Sequence, residues 1–316
     1  MYYSINPLNI SLILLLLVSS CDSKKEAISL SELKIEYLGN PAGLDVSSPR
    51  FSWIIENDDQ RGTSQTAYQI ILSENKDEVE NEEGSFWNTG KTDTDQSVNI
   101  RYGGPPLQSG TKYYWRVRVW TNTAEEPVWS DVNWFHMGLL AQSEWQAKWI
   151  TIPDSTIAAP LFRAEFNVEK EIESAFAYVT GMGYYEFYLN GKKVGDHVLD
   201  PGMTDFRKRV LYATYEVKNQ IRNGSNAIGF MLGNGAFRLK RPEGRYAWHL
   251  KSPITGTPRV IVQLHIKYTD GTDKVITTGE HWKTSPGPVI FNNVFGGEDY
   301  DARLEQKGWS EAGFND

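Results

Sequence analysis

The chain has 316 residues, a length that corresponds to about two domains. Its composition, 40% hydrophobic and 23% charged, is that of a globular protein and excludes wholesale disorder. A net charge of −8 without a dense Lys/Arg stripe argues against a nucleic-acid partner, and a single cysteine excludes both a disulfide framework and a Cys-rich zinc site.

Residues 10–18 are an apolar run too short to span a bilayer as a helix, which takes about 20 apolar residues. Ser19, Ser20 and Cys21 follow it. An apolar core, small residues and a terminal Cys resemble a bacterial lipoprotein signal, although Met1–Asn9 holds no Lys or Arg. The resemblance implies a signal over 1–21, lipidation of Cys21, a tether over 22–32 and a membrane-anchored, periplasmic or cell-surface lipoprotein. Contact with the membrane would be through the lipid alone.

From 33 to 138 the pattern is all strand. Tyr113, Trp115, Val117 and Val119 alternate with Tyr114, Arg116, Arg118 and Trp120, the period of a half-buried strand. Arg50–Ile55, Ala67–Ser73 and Val128–Phe135 are further strands, and Asn75–Glu83 is a short helix candidate. Short strands at this spacing, with Ser48-Pro-Arg-Phe-Ser-Trp53 and Trp129-Ser130, resemble a fibronectin type III sandwich. A linker over 139–159 carries Trp145–Ile150, an aromatic segment expected to pack at a junction. From 160 to 316 a second all-β unit is expected, a jelly-roll-like sandwich. Its strands include Leu161–Val168, Ala175–Thr180, Val210–Val217, Asn226–Leu232 and Arg259–Tyr268. Asn190-Gly191 and Asp270-Gly271 mark its hairpins. The fold class is therefore all-β.

The second unit also carries a run of motifs: Gly181–Asp196, Leu199-Asp-Pro-Gly-Met-Thr-Asp205, Arg209–Tyr215, Leu232-Gly-Asn-Gly235, Trp282–Pro288, Gly297–Arg303 and Gly308-Trp309. In this order they resemble the N-terminal region of bacterial α-L-rhamnosidases of glycoside hydrolase family 78, over nearly all of 33–316. That family removes terminal α-L-rhamnose with inversion, through an acid and a base in an (α/α)₆ barrel that follows such β domains. The resemblance implies a non-catalytic front region, with no catalytic residue of its own. Its partners would be a rhamnose-containing polysaccharide or glycoside and a catalytic domain to dock on. Some relatives hold rhamnose in the second unit through calcium, which makes calcium the implied cofactor. Two other readings stand beside this one: a protein-binding surface scaffold, and an active rhamnosidase whose barrel comes from a partner chain.

The candidate residues follow from side-chain chemistry. Tyr184 and Trp248 offer rings on which a sugar's C–H face can stack, and Glu186, Asn190, Asn234, Arg238 and Arg245 offer hydrogen bonds to hydroxyls. Residues 235–250 read as a long loop, where binding concentrates. Asp196, Asp200 and Asp205 in one loop could supply some of the six to eight oxygens that calcium takes, or could instead cap backbone N–H groups of turns. Glu298, Asp299, Asp301 and Glu305 form the densest acidic cluster, read as an ordering motif with Arg303 pairing nearby acids. The five histidines show no ligand spacing.

Overall fold

The computed structural model describes residues 28–57, 61–239 and 256–316. The lipoprotein signal with Cys21, and the stretch holding Arg245 and Trp248, lie outside the described residues. No helix among the described residues is long and apolar enough to cross a membrane.

The first unit comprises β1 (Ser29–Ile35), β2 (Ala42–Leu44), β3 (Arg50–Glu56), β4 (Gln65–Ser73), β5 (Trp87–Asn88), β6 (Thr92–Asp93), β7 (Ile100–Arg101), β8 (Lys112–Thr121), β9 (Val128–Trp129) and β10 (Asn133–Met137). One sheet runs β1-β3-β7. The other runs β2-β10-β8-β4-β5, with β6 on β4 and β9 on β8. The alternation in β8 is realised: Tyr113, Trp115, Val117 and Val119 are buried, and the residues between them are partly exposed. Phe51 meets Trp115 edge-on at 4.8 Å, and the indole N–H of Trp53 donates to Gln65 Oε1 at 2.9 Å, so the buried polar handle is satisfied. The expected strand 128–135 is broken at Ser130, whose Oγ accepts the Val117 N–H in place of a backbone carbonyl. Helix α1 (Lys76–Glu80) starts where Asn75 Oδ1 accepts the Asp77 N–H, an ordinary N-cap.

The second unit comprises β11 (Pro160–Val168), β12 (Ile172–Met182), β13 (Tyr185–Leu189), β14 (Lys192–Lys193), β15 (Ala213–Glu216), β16 (Gly224–Leu232), β17 (Arg259–Tyr268), β18 (Asp273–Thr277), β19 (Lys283–Pro286), β20 (Val289–Asn293) and β21 (Gly297–Tyr300). Two antiparallel sheets, β14-β13-β16-β11-β19 and β15-β12-β17-β18, face each other, and β20-β21 stands apart as a hairpin. Phe162, Phe187 and Phe230 from the first sheet meet Val179, Val262 and Leu264 from the second in one core. Asn190 and Gly191 turn the β13-β14 hairpin with φ of 51° and 81°, the left-handed pair that a tight hairpin requires. The Val210–Val217 strand is shorter than its alternation suggests and pairs with β12 only over β15.

The two units join through β10 and β12. His136 is fully buried and stacks on Phe176 at 3.6 Å between centroids, while Tyr212 OH accepts the Leu139 N–H at 2.8 Å. Lys112 pairs with Glu216 at 2.8 Å across the seam, and Trp145 meets Tyr212 edge-on. Burial holds the His136 imidazole neutral and lowers its pKa to about 3.

Period-2 alternation places Arg163 of β11, Glu186 and Tyr188 of β13, and Gly229 and Met231 of β16 on the face of the five-stranded sheet opposite the core. Residues 306–316 cross part of this outer face. The Trp309 indole lies against Gly229, where an added Cβ would stand 2.5 Å from the ring, so only glycine admits it. Arg163 pins the crossing segment: its guanidinium donates to Trp309 O at 2.8 Å and Glu311 O at 3.0 Å, and it pairs with Glu165 and Asp316.

Candidate functional site

Beside the crossing segment, the same outer face opens into a cleft of about 640 Å³. Its floor is Glu186, Tyr188 and Met231. One wall is the β20-β21 hairpin with Tyr300, and the other is the turn His197-Val198-Leu199. Tyr184, Gly233 and Gly235 close one end. The walls are tied down by hydrogen bonds. Gly233 N–H donates to Tyr184 O at 2.7 Å. Asn292 Oδ1 accepts the Asn234 N–H at 2.7 Å, and Asn292 Nδ2 donates to Ala158 O at 2.8 Å.

The floor is polar and already organised. Tyr188 OH donates to Glu186 Oε2 at 2.6 Å, and Lys193 Nζ pairs with Glu186 Oε1 at 2.9 Å. Burial works against the Glu186 charge, but these two donors outweigh it and hold the carboxyl below the usual carboxylate range. Burial and the Glu186 charge together push the Tyr188 phenol up. The result is a carboxylate, a phenol and an ammonium beside the Tyr184 and Tyr300 rings. Such a cleft suits a neutral polyhydroxylated ligand, which needs polar anchors and an apolar surface.

The structure brings some candidates together and separates others. Tyr184 and Glu186 line the cleft, and Asn234 braces its end. Asn190 does not line it: its side chain is buried, donating to Gln220 O and Asn226 Oδ1 and accepting from Ala227 N–H. Arg238 reaches Ser155 O at 3.3 Å, outside the lining.

The three aspartates chosen for calcium do not converge. Asp205 is held by Arg207 Nε and Nη2 at 2.9 and 3.1 Å, which keeps its carboxyl below the usual range. Asp200 accepts from Tyr215 OH at 3.0 Å and bonds His197 Nδ1 at 2.7 Å. Among the described residues no group of three His, Cys, Asp or Glu side chains could hold a metal ion. Two of the three, Asp200 and Asp205, are thus already paired within the protein. In the acidic cluster, Arg303 pairs with Asp301, which caps the turn Ala302–Leu304.

Sequence reasoning missed Lys193, His197, Asn292 and Tyr300. The alternation of β13 does place Glu186 and Tyr188 on one face, a signal that pairs them. Nothing local links β13 to a hairpin a hundred residues later.

Comparison with known proteins places the architecture. Residues 170–316 match the α-L-rhamnosidase N-terminal domain, and residues 30–141 match a Rha78A-like, N-terminal immunoglobulin domain. The chain is similar to the N-terminal region of α-L-rhamnosidases. It is 36% identical to an α-L-rhamnosidase of Formosa agariphila over 96% of this chain and 35% of that protein. It is equally identical to one of Alteromonas sp. over 88% of this chain and 31% of that protein. The α-L-rhamnosidase structure from Dictyoglumus thermophilum superposes with a TM-score of 0.79 at 38% identity, covering 91% of this chain and 33% of that one. That from Aspergillus terreus gives 0.79 at 31% identity, covering 92% and 33%. The chain thus spans about a third of the length of these relatives. The immunoglobulin match refines the expected fibronectin type III likeness of the first unit, and both are β-sandwiches.

Proposed function

We propose that the chain serves as the non-catalytic N-terminal region of an α-L-rhamnosidase, and that its cleft holds a rhamnose-containing glycan. The supporting observation is the covered outer face of the five-stranded sheet, where the Glu186–Tyr188–Lys193 network meets Tyr184 and Tyr300. Such a region raises the local concentration of a catalytic domain on its polymer rather than breaking bonds itself. Calorimetric titration with L-rhamnose, first in a chelator and then with calcium, tests the binding. Hydrolysis of a nitrophenyl α-L-rhamnoside in the same preparation tests the absence of turnover. Saturable binding without turnover is expected. Turnover overturns the non-catalytic reading, and no binding in either buffer overturns the glycan reading. A response to calcium would require carbonyl or amide donors beyond the aspartates described above.

One feature favours docking as well. Ile290, Phe295 and Leu304, on and beside the hairpin, are each about half exposed, more apolar surface than a solvated rim needs. They would face the catalytic domain of a longer rhamnosidase chain. The lipoprotein signal adds a proposed anchor at Cys21, which partition of the mature protein into detergent tests. Cys21→Ala should move it to the aqueous phase.

A further inference from the structure

The turn at residues 197–199 is built differently from the rest of the cleft wall. Val198 and Leu199 are 74% and 64% exposed, yet both line the cleft. Leu199 is held at φ 60°, a left-handed conformation that a bulky residue keeps only where the surroundings impose it. They do so here. Asp200 O accepts the Tyr185 N–H at 3.1 Å, and the Asp200 carboxylate is fixed by the Tyr215 hydroxyl. The fold thus sets two branched apolar side chains at the edge of a cleft whose floor is polar.

His197 stands beside them, half exposed, its ring 5.4 Å from that of Tyr215. An ionised carboxylate only accepts hydrogen bonds, so the 2.7 Å contact places the proton of neutral His197 on Nδ1. That leaves Nε2 as an acceptor lone pair, with no hydrogen-bond partner among the described residues. An acceptor beside an apolar pair suits a sugar that carries a methyl group next to hydroxyls.

We infer that the 197–199 turn is the specificity element of the cleft, with Val198 and Leu199 taking the methyl of a 6-deoxyhexose and His197 Nε2 accepting a ring hydroxyl. The inference rests on the glycan reading above. Asp200 and Tyr215 are positioning residues, acting through His197.

Calorimetry with L-rhamnose and L-mannose, which differ by a hydroxyl on C6, tests it. The wild type should prefer L-rhamnose by about tenfold, within what an apolar surface achieves against an added hydroxyl. Val198→Ser with Leu199→Ser should bring the two sugars to within about threefold. Their exposure makes the exchange benign for folding, which circular dichroism checks. His197→Ala should weaken both sugars by about tenfold, and His197→Gln, whose Oε1 can accept, should recover most of that. A merely structural histidine would not be rescued by Gln. Equal wild-type affinities, an unchanged preference in the double serine variant, or equal losses in both His197 variants overturn the inference while leaving glycan binding intact. Failure of the wild type to bind either sugar overturns both.

Discussion

The outer faces of the two large sheets are finished in different ways. In the first sandwich the outward residues of β8 cover themselves. Arg116 lies 4.8 Å over Trp129, Arg118 sits 5.3 Å from both Trp129 and Trp120, and Lys91 lies 5.0 Å over Trp120. Cations and indoles alternate into a ladder over this face. In the second sandwich the outward residues of β11, β13 and β16 are covered by chain, namely residues 306–316 and the β20-β21 hairpin. Gly229 and Arg163 exist to receive that cover, and the cleft is the space it leaves. Self-covering side chains finish a surface, whereas a second layer of backbone makes a wall and therefore a site.

The contrast breaks most sharply at Arg163. Arg163→Ala removes a buried guanidinium from two carbonyls and two carboxylates, and should destabilise the second unit by about 3 kcal/mol in urea unfolding. Next comes Gly229→Ala, whose Cβ collides with Trp309. It should cost about 2 kcal/mol and expose the indole, read by Trp fluorescence.

The junction sharpens the comparison because it couples the two sandwiches through a buried imidazole. His136 titrates near 6.5 when unfolded but at about 3 when folded, so between those values the unfolded chain binds the extra proton. Stability is therefore lost as pH falls through 6.5 toward 3, by at most about 1.4 kcal/mol per pH unit from this group. Burial is the main cause, and Lys112 and His265 add to it, while a backbone hydrogen bond at Gly110 opposes it. His265, itself held low by burial, acts in the same direction. His136→Phe keeps the stack on Phe176 and should flatten the fall between pH 6.5 and 5, above the range where paired carboxylates titrate. The smallest effect belongs to the ladder. Arg118→Ala should cost about 0.5–1 kcal/mol and leave the cleft untouched.

Much of the fold was legible in local pattern. The eight-residue alternation of β8 named its buried face, Asn190-Gly191 named its hairpin, and Asn75 named the start of α1. The break at Ser130 was not legible, because it depends on a side chain standing in for a carbonyl of the partner strand. The site was legible only in halves. Alternation sets Glu186 and Tyr188 on one face but does not say that the β20-β21 hairpin returns to wall it. The loop aspartates left a cation site and turn capping both open, because spacing cannot show that Arg207 claims Asp205 and that Tyr215 claims Asp200. His197 lines the cleft only because the turn carrying it is anchored through Asp200 to Tyr215, which comes from a separate strand.

Hydrogen exchange of the protein with and without L-rhamnose tests most directly whether the covered face is the binding face. The account predicts slowed exchange at the Tyr185 and Gly233 amides and along β20-β21, with β8 and its ladder unchanged. Protection confined to the first sandwich, or none at saturating sugar, would contradict it.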